Sequence, residues 1–160
     1  MKKIEVRKSG KCEGEGLFAC ADFLPGEVIA DWEAGGVIYF AERESDLPAP
    51  QSGYAIQIER DEFVDNQVLR NINHSCDPNC GIQGRGILVA RKQIFHGDEL
   101  FYDYAMTEDS DWDMPEQCLC GAPGCRKSIG GFRTLPSNVI EDYLRGPFVS
   151  RWLIDKYHLQ

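Results

Sequence analysis

"RNINHSCDPNC", residues 70–80, lies in the middle of the chain and offers almost nothing to a hydrophobic core. It holds His74, the thiols of Cys76 and Cys80, three asparagines and the turn-forming Asp77-Pro78-Asn79. Three uses suit such a stretch: a metal site, a nucleophile, or backbone held in place for a ligand. The sequence on either side has to choose among them.

The surrounding hundred residues read as short strands. "LFACADF" (17–23), "EVIADWE" (27–33), "GVIYF" (36–40), "YAIQIE" (54–59), "GILVARK" (86–92) and "ELFYDY" (99–104) are rich in β-branched and aromatic residues. Pro25-Gly26, Gly35-Gly36, Pro48 to Gly53 and His96-Gly97-Asp98 punctuate them. No helix-period segment long enough to cover a parallel sheet separates them, so a mainly β body of antiparallel or mixed sheets is expected. From residue 105 the composition changes. "AMTEDSDWDMPEQ" (105–117) carries Glu108, Asp109, Asp111, Asp113 and Glu116 and reads as an exposed, mobile loop. Asn138 with Glu141 predicts a capping box for a helix over 139–145, stopped at Gly146-Pro147. A second helix is predicted over 149–158, with Val149, Trp152, Leu153 and Tyr157 on the packed face.

At 160 residues the chain suits one domain with a real core. It has no apolar run long enough for a membrane helix. Its start, MKKIEVRKSG, lacks the apolar stretch of a secretory signal, so an intracellular, soluble protein is expected. A net charge of −9 argues against binding nucleic acid by phosphate neutralisation and suits a basic partner.

Seven cysteines in such a chain point to metal before disulfides. "CLCGAPGC" (118–125) places Cys118, Cys120 and Cys125 within eight residues, turned by glycines and a proline. Zinc accepts four soft tetrahedral ligands, and a structural zinc site is closed. Three thiolates therefore require a remote fourth, for which Cys76 and Cys80 are candidates ahead of His74 and His96. Cys12 and Cys20 read as small buried residues. A Cys76–His74 nucleophile is disfavoured, because no oxyanion arrangement is apparent.

"EGEGLFA" (13–19), "RNINHSCDPNC" (70–80), "GDELFYDYA" (97–105) and "CLCGAPGC" (118–125), in this order, closely resemble the SET-domain protein-lysine methyltransferases with a post-SET zinc segment. The resemblance runs from about residue 4 to 130. It implies a fold of small, curved β-sheets with a knot-like threaded segment at residues 73–76. The corresponding divisions are a SET domain over 4–104, an acidic loop and zinc segment over 105–130, and a helical extension over 131–160.

The resemblance further implies S-adenosylmethionine as cofactor, set against Gly14, Glu15 and Gly16. Asn73 and His74 would contact it, Arg70 and Tyr54 would line the pocket, and Ile129 would cover the adenine. Tyr104 matches the family's catalytic tyrosine, with Tyr102 and Tyr54 as walls of the lysine channel. Cys76, Cys118, Cys120 and Cys125 match the four zinc ligands. The expected substrate is a lysine in a basic protein or tail such as a histone, with mono- or dimethylation as the main product. Glu13 stands where family members often carry a basic residue, and there is no pre-SET zinc cluster, so residues 1–10 and the C-terminal helices must supply its packing. The competing reading is a catalytically silent, zinc-stabilised module that holds a basic peptide in the same groove. The presence of Tyr104, Asn73 and His74 favours the enzyme.

Overall fold

The computed structural model describes residues 3–109 and 114–159. Four small sheets make up the described body. The first runs in the order β1 (Ile4–Lys8), β2 (Glu15–Ala19), β10 (Glu99–Tyr102), β7 (Asn73–His74). The second is β3 (Val28–Asp31), β9 (Ile87–Ala90), β8 (Cys80–Gln83), and the third β4 (Val37–Phe40), β6 (Glu62–Asp65), β5 (Ile56–Glu59). A hairpin of β11 (Met114–Gln117) and β12 (Ser128–Ile129) follows, then helices α1 (Ser137–Arg145) and α2 (Arg151–Tyr157). The mainly β expectation holds. None of the described helices is long and apolar enough to cross a membrane.

The strands are short because turns interrupt them every few residues. β5 keeps the two-residue period, burying Ile56 and Ile58 between half-exposed neighbours. β1 has half-buried Ile4 and Val6 among charged residues, which hides its period in the sequence. "LFACADF" is not one strand: β2 stops at Ala19, and Phe23 makes an isolated bridge to Ile94.

Two features position the site. Among the pairings described, only β7 and β10 run parallel, setting Asn73 against Phe101 and His74 against Tyr102. The amide of Ser75 continues this by donating to the Tyr102 carbonyl (3.1 Å). The central motif and the tyrosine motif thus lie side by side. The second feature is the C-terminal segment, which packs Tyr143, Val149, Trp152 and Leu153 into the core of the β body. Phe148 lies so close to Gly81 that a side chain there would collide with its ring.

Several local expectations are corrected. No capping box forms: α1 begins at Ser137 behind Pro136, and no side chain caps it. α2 is shorter than expected, ending at Tyr157 where His158 turns left-handed. The stretch after residue 105 does not begin as an exposed loop, because Glu108 and Asp109 are buried. Asp111, Asp113 and the Glu116 side chain lie outside the described residues. Cys12 and Cys20 are half-buried.

Candidate active site and thiol cluster

A cavity of about 650 Å³ opens between the first and third sheets, within the range of small-molecule sites. One wall is backbone. Gly14 takes φ +92, a conformation other residues adopt only with strain, and no protein atom stands where its side chain would be. Gly16, expected to contact the cofactor, is not among the residues lining the cavity; it abuts the Glu99 carboxylate instead. Asn73 ties this wall to β7: its Nδ2 donates to the Glu15 carbonyl (2.9 Å) and to Glu99 Oε1 (3.2 Å). Ser9 Oγ donates to the same carboxylate oxygen (2.7 Å). Opposite, Arg70 pairs with Asp65 (Nε–Oδ1 3.0 Å) and lies over the Tyr54 ring at 4.9 Å.

The aromatic wall comes from the end of β10. Tyr102 closes the strand and Tyr104 opens a 3-10 turn (Tyr104–Met106), so the two are not successive same-face strand residues as the sequence suggests. They nevertheless share the cavity, with ring centroids 5.1 Å apart. Trp32 packs edge-on against Tyr102 at 5.8 Å. The Tyr104 hydroxyl donates to the Ile72 carbonyl (3.1 Å), which leaves its lone pairs for a ligand. Burial pushes this phenol up to about 12, so it stays neutral at physiological pH.

His74 does not line the cavity. Its Nδ1 accepts from the Tyr104 amide (3.2 Å) and its Nε2 stands 3.5 Å from Cys76 Sγ. Burial lowers it to about 4, so the imidazole is neutral. Cys76 and His74 do meet, as residues two apart can, yet burial raises the Cys76 thiol to about 11. A nucleophile requires the reverse shift. Ile129 lies in β12, paired with Met114, and is not among the residues lining the cavity.

Cys76, Cys118, Cys120 and Cys125 converge, all four sulfurs lying within 4.8 Å of one another. None is in a disulfide. Sulfurs on a tetrahedral zinc with bonds of about 2.3 Å stand about 3.8 Å apart, and Cys76 and Cys118 are 3.7 Å apart. Backbone amides aim at the cluster: Arg126 N donates to Cys76 Sγ and Lys127 N to Cys125 Sγ, both at 3.4 Å. Burial alone would raise the Cys120 thiol, but hydrogen bonds from the Cys76 and Ala122 backbone and from the Cys118 and Cys125 thiols together outweigh it and hold it at about 6. Convergence, spacing and thiolate-stabilising donors all fit zinc. Cys80 is buried elsewhere, its thiol donating to Asn79 Oδ1 (3.5 Å).

Sequence reading missed three kinds of residue. Asp103 is fully buried and gathers Arg126 Nη2 (2.7 Å), the Tyr143 hydroxyl (2.7 Å) and the Ala105 amide (3.1 Å). Its position beside Tyr104 was the available signal. Trp32 lines the cavity from the end of β3, where an aromatic residue reads simply as core. Glu44 and Glu108 also line it, and nothing in the sequence links them.

The family model for the SET domain matches residues 14–105, more than half of the chain. Among curated proteins, "Histone-lysine N-methyltransferase trr" of Drosophila melanogaster is 35% identical over 133 residues, 73% of this chain and 5% of that protein. An H3 lysine-36 specific histone-lysine N-methyltransferase of Coccidioides immitis (strain RS) is 34% identical over 145 residues, 81% of this chain and 14% of that protein. An H3 lysine-4 specific enzyme of Schizosaccharomyces pombe is 42% identical over 84 residues, 46% of this chain and 9% of that protein. The chain thus spans a small part of each relative's length. A solved structure of KRYPTONITE in complex with mCHH DNA, H3(1-15) peptide and SAH superposes with a TM-score of 0.55 at 25% identity. It covers 79% of this chain and 29% of that one. A second KRYPTONITE complex, with mCHG DNA and SAH, gives a TM-score of 0.57 at 25% identity, covering 79% and 28%.

Proposed function

The chain belongs to the SET domain family, and on that premise we propose that it is a protein-lysine N-methyltransferase using S-adenosylmethionine, with a structural zinc ion. The observation that carries the proposal is the meeting of Gly14, Asn73, Tyr102 and Tyr104 on one cavity. The names of its relatives, and SAH in the related structures, support the same class.

The cofactor supplies a methyl group on a sulfonium, which a neutral amine displaces in line. The backbone of Gly14 and Glu15, with Asn73, would hold it, and Tyr54 with Arg70 would close the wall. A solvated lysine has a pKa near 10.4, so presenting the neutral amine at pH 7 costs about 4.6 kcal/mol. Tyr102, Tyr104 and Trp32 reduce that cost by desolvating the amine. Tyr104, neutral and anchored on Ile72, aligns the methyl group through its free lone pairs and does not act as a phenolate. Alignment of this kind is worth up to about 7–11 kcal/mol. Cys76, Cys118, Cys120 and Cys125 hold zinc and tie the segment after residue 117 to β7.

The substrate class is a lysine in a basic protein or tail, consistent with the net charge of −9 and with the histone specificity in the relatives' names. Mono- or dimethyl-lysine is the expected product, since Tyr102 keeps a hydroxyl beside the channel. Nucleic-acid binding is not part of the proposal. The DNA in the related complexes accompanies a chain of which this one covers only 29%.

Calorimetric titration with S-adenosylmethionine, followed by labelled methyl transfer to core histones, ribosomal proteins and cell lysate, tests the reading. Cofactor binding with lysine-linked label is expected. Binding of basic peptides with neither cofactor binding nor turnover would establish the silent peptide-holding module instead.

A further inference from the structure

The buried end of the cavity carries charge that the chemistry above does not use. Glu44 opens a 3-10 turn (Glu44–Asp46) after β4, and Glu108 follows the turn that carries Tyr104. Both line the cavity. Glu108 is 8% exposed. Among the described residues no lysine or arginine pairs with either carboxylate; Arg43, next to Glu44, turns to Asp46 instead. The Gln57 backbone favours ionisation of Glu108, but burial and the neighbouring charges of Glu44 and Asp109 oppose it. Tyr102 lines the same cavity as both carboxylates. Burial above all holds Glu108 at about 8 and Glu44 at about 7.

A second observation at the same end is independent of these charges. Trp32, 1% exposed, lines the cavity, and its indole N–H is buried without a hydrogen-bond partner among the described residues. Buried polar groups are ordinarily satisfied, and buried carboxylates are ordinarily paired. Here an unmet donor and two unpaired acids border one cavity. A cation from a ligand would complete the two acids; the indole N–H, a donor closed off from solvent, marks the wall beside them.

The fold holds Glu108 in place from outside the SET match. Phe132 N donates to the Glu108 carbonyl (2.7 Å), Trp152 Nε1 to the Thr107 carbonyl (3.0 Å) and Ser150 N to the Met106 carbonyl (2.9 Å). Asp109 accepts from the Tyr157 hydroxyl (2.6 Å) and meets Lys156 Nζ (2.6 Å), so its charge is directed into the C-terminal segment.

We propose that Glu44 and Glu108 form the acidic end of the substrate channel, receiving the charged ammonium of the incoming lysine and taking its proton before methyl transfer. The step balances once Glu108 is ionised, above its value of about 8: the ammonium N–H bond breaks, the proton bonds to a Glu108 carboxylate oxygen, and the nitrogen keeps the electron pair it needs to attack. Glu44, the more exposed of the two, passes the proton to water. The proposal rests on the lysine-methyltransferase reading and assigns the C-terminal segment a task, that of fixing Glu108 in the channel.

The test uses the full chain loaded with S-adenosylhomocysteine, and two probes of equal shape, n-butylammonium and n-butanol. The Trp32 indole N–H resonance reports their binding by NMR. At about pH 9, where both carboxylates are ionised, unmodified protein is expected to prefer the cation by about tenfold, and Glu44→Gln/Glu108→Gln to lose that preference while still binding S-adenosylhomocysteine. A preference that survives in the double variant, or is missing in the unmodified protein, overturns the proposal. Calorimetry with S-adenosylhomocysteine separates the two readings. If the unmodified protein binds it but shows no preference for the cation, only the acidic channel fails. If the unmodified protein does not bind it, the methyltransferase reading fails and takes this proposal with it.

Discussion

Tyr102 and Tyr104 are two residues apart and chemically identical, yet their hydroxyls have different partners. Tyr104 donates to the Ile72 carbonyl, while Tyr102 stands 3.5 Å from the Thr107 hydroxyl. The consequences of removing each should differ accordingly. Tyr104→Phe deletes the oxygen that aligns the methyl group and should lower kcat by about a hundredfold or more, without unfolding the protein. Tyr102→Phe deletes a hydroxyl that can hold water beside the amine, and should shift product toward trimethyl-lysine. Mass spectrometry of a substrate-limited reaction separates the two outcomes; abundant trimethyl product from the unmodified protein would show that Tyr102 sets no limit. Asp103 represents the other kind of residue, one that holds parts together. Replacing it with alanine strands Arg126, only 15% exposed at its side chain, without its carboxylate. Such a loss typically costs about 3–5 kcal/mol, which denaturant unfolding would measure. Asp103→Asn keeps the shape and should cost less.

At the scale of elements, the segment after residue 117 behaves as a clip. Cys118, Cys120 and Cys125 reach back to Cys76, which follows β7, and Arg126 reaches Asp103 just beyond β10. The ion would therefore anchor the edge of the cavity formed by those two strands. Elemental analysis should find about one zinc per chain. Chelation, or Cys120→Ser, should weaken S-adenosylmethionine binding before circular dichroism shows any loss of strands. The reason is that the β sheets have their own core, with Leu17, Ile58, Leu88 and Leu100 fully buried. Simultaneous loss of cofactor binding and strand signal would mean that the clip supports the whole fold. α1 meets the clip at the same carboxylate, Tyr143 reaching Asp103 beside Arg126, and Trp152 of α2 reaches Thr107.

For the whole molecule, the buried acids have a cost that appears as pH dependence. Glu108 and Glu44 titrate at about 8 and about 7 in the folded protein, against an ordinary value of 4.5. The folded state therefore holds protons that the unfolded chain has already released. Stability is greatest below the unfolded value and falls as pH rises through 7 and 8. His74, lowered to about 4 by burial, works in the other direction but only below its ordinary value of 6.5. Between pH 6.5 and 8.5 the acids dominate, and Tm should drop by on the order of 5 °C. Glu44→Gln/Glu108→Gln should flatten that slope and raise Tm at pH 8.5. An unchanged slope would mean that the two carboxylates are solvated. The overall charge of −9 makes a separate contribution, drawing a basic substrate from a distance with a range of about 8 Å at physiological salt.

How much of this was legible in the chain depends on how far apart the partners lie. The β class, the two C-terminal helices and the apolar face of Val149, Trp152 and Leu153 follow from local periodicity, which records which face of an element is buried. The clustered thiols of Cys118, Cys120 and Cys125 were readable because one ion's ligands lie within one turn of chain; the remote fourth stayed open between Cys76 and Cys80 until the motif resemblance favoured Cys76. Motif order located Gly14, Asn73 and Tyr104 in the same way. Only the tertiary structure brought Glu44 to Glu108, left the Trp32 N–H unpartnered, gathered Arg126 and Tyr143 on Asp103, and turned His74 away from the cavity. Burial and long-range pairing decide those features. A carboxylate has the same one-letter code whether it is solvated on a loop or held, unpaired, against a cavity.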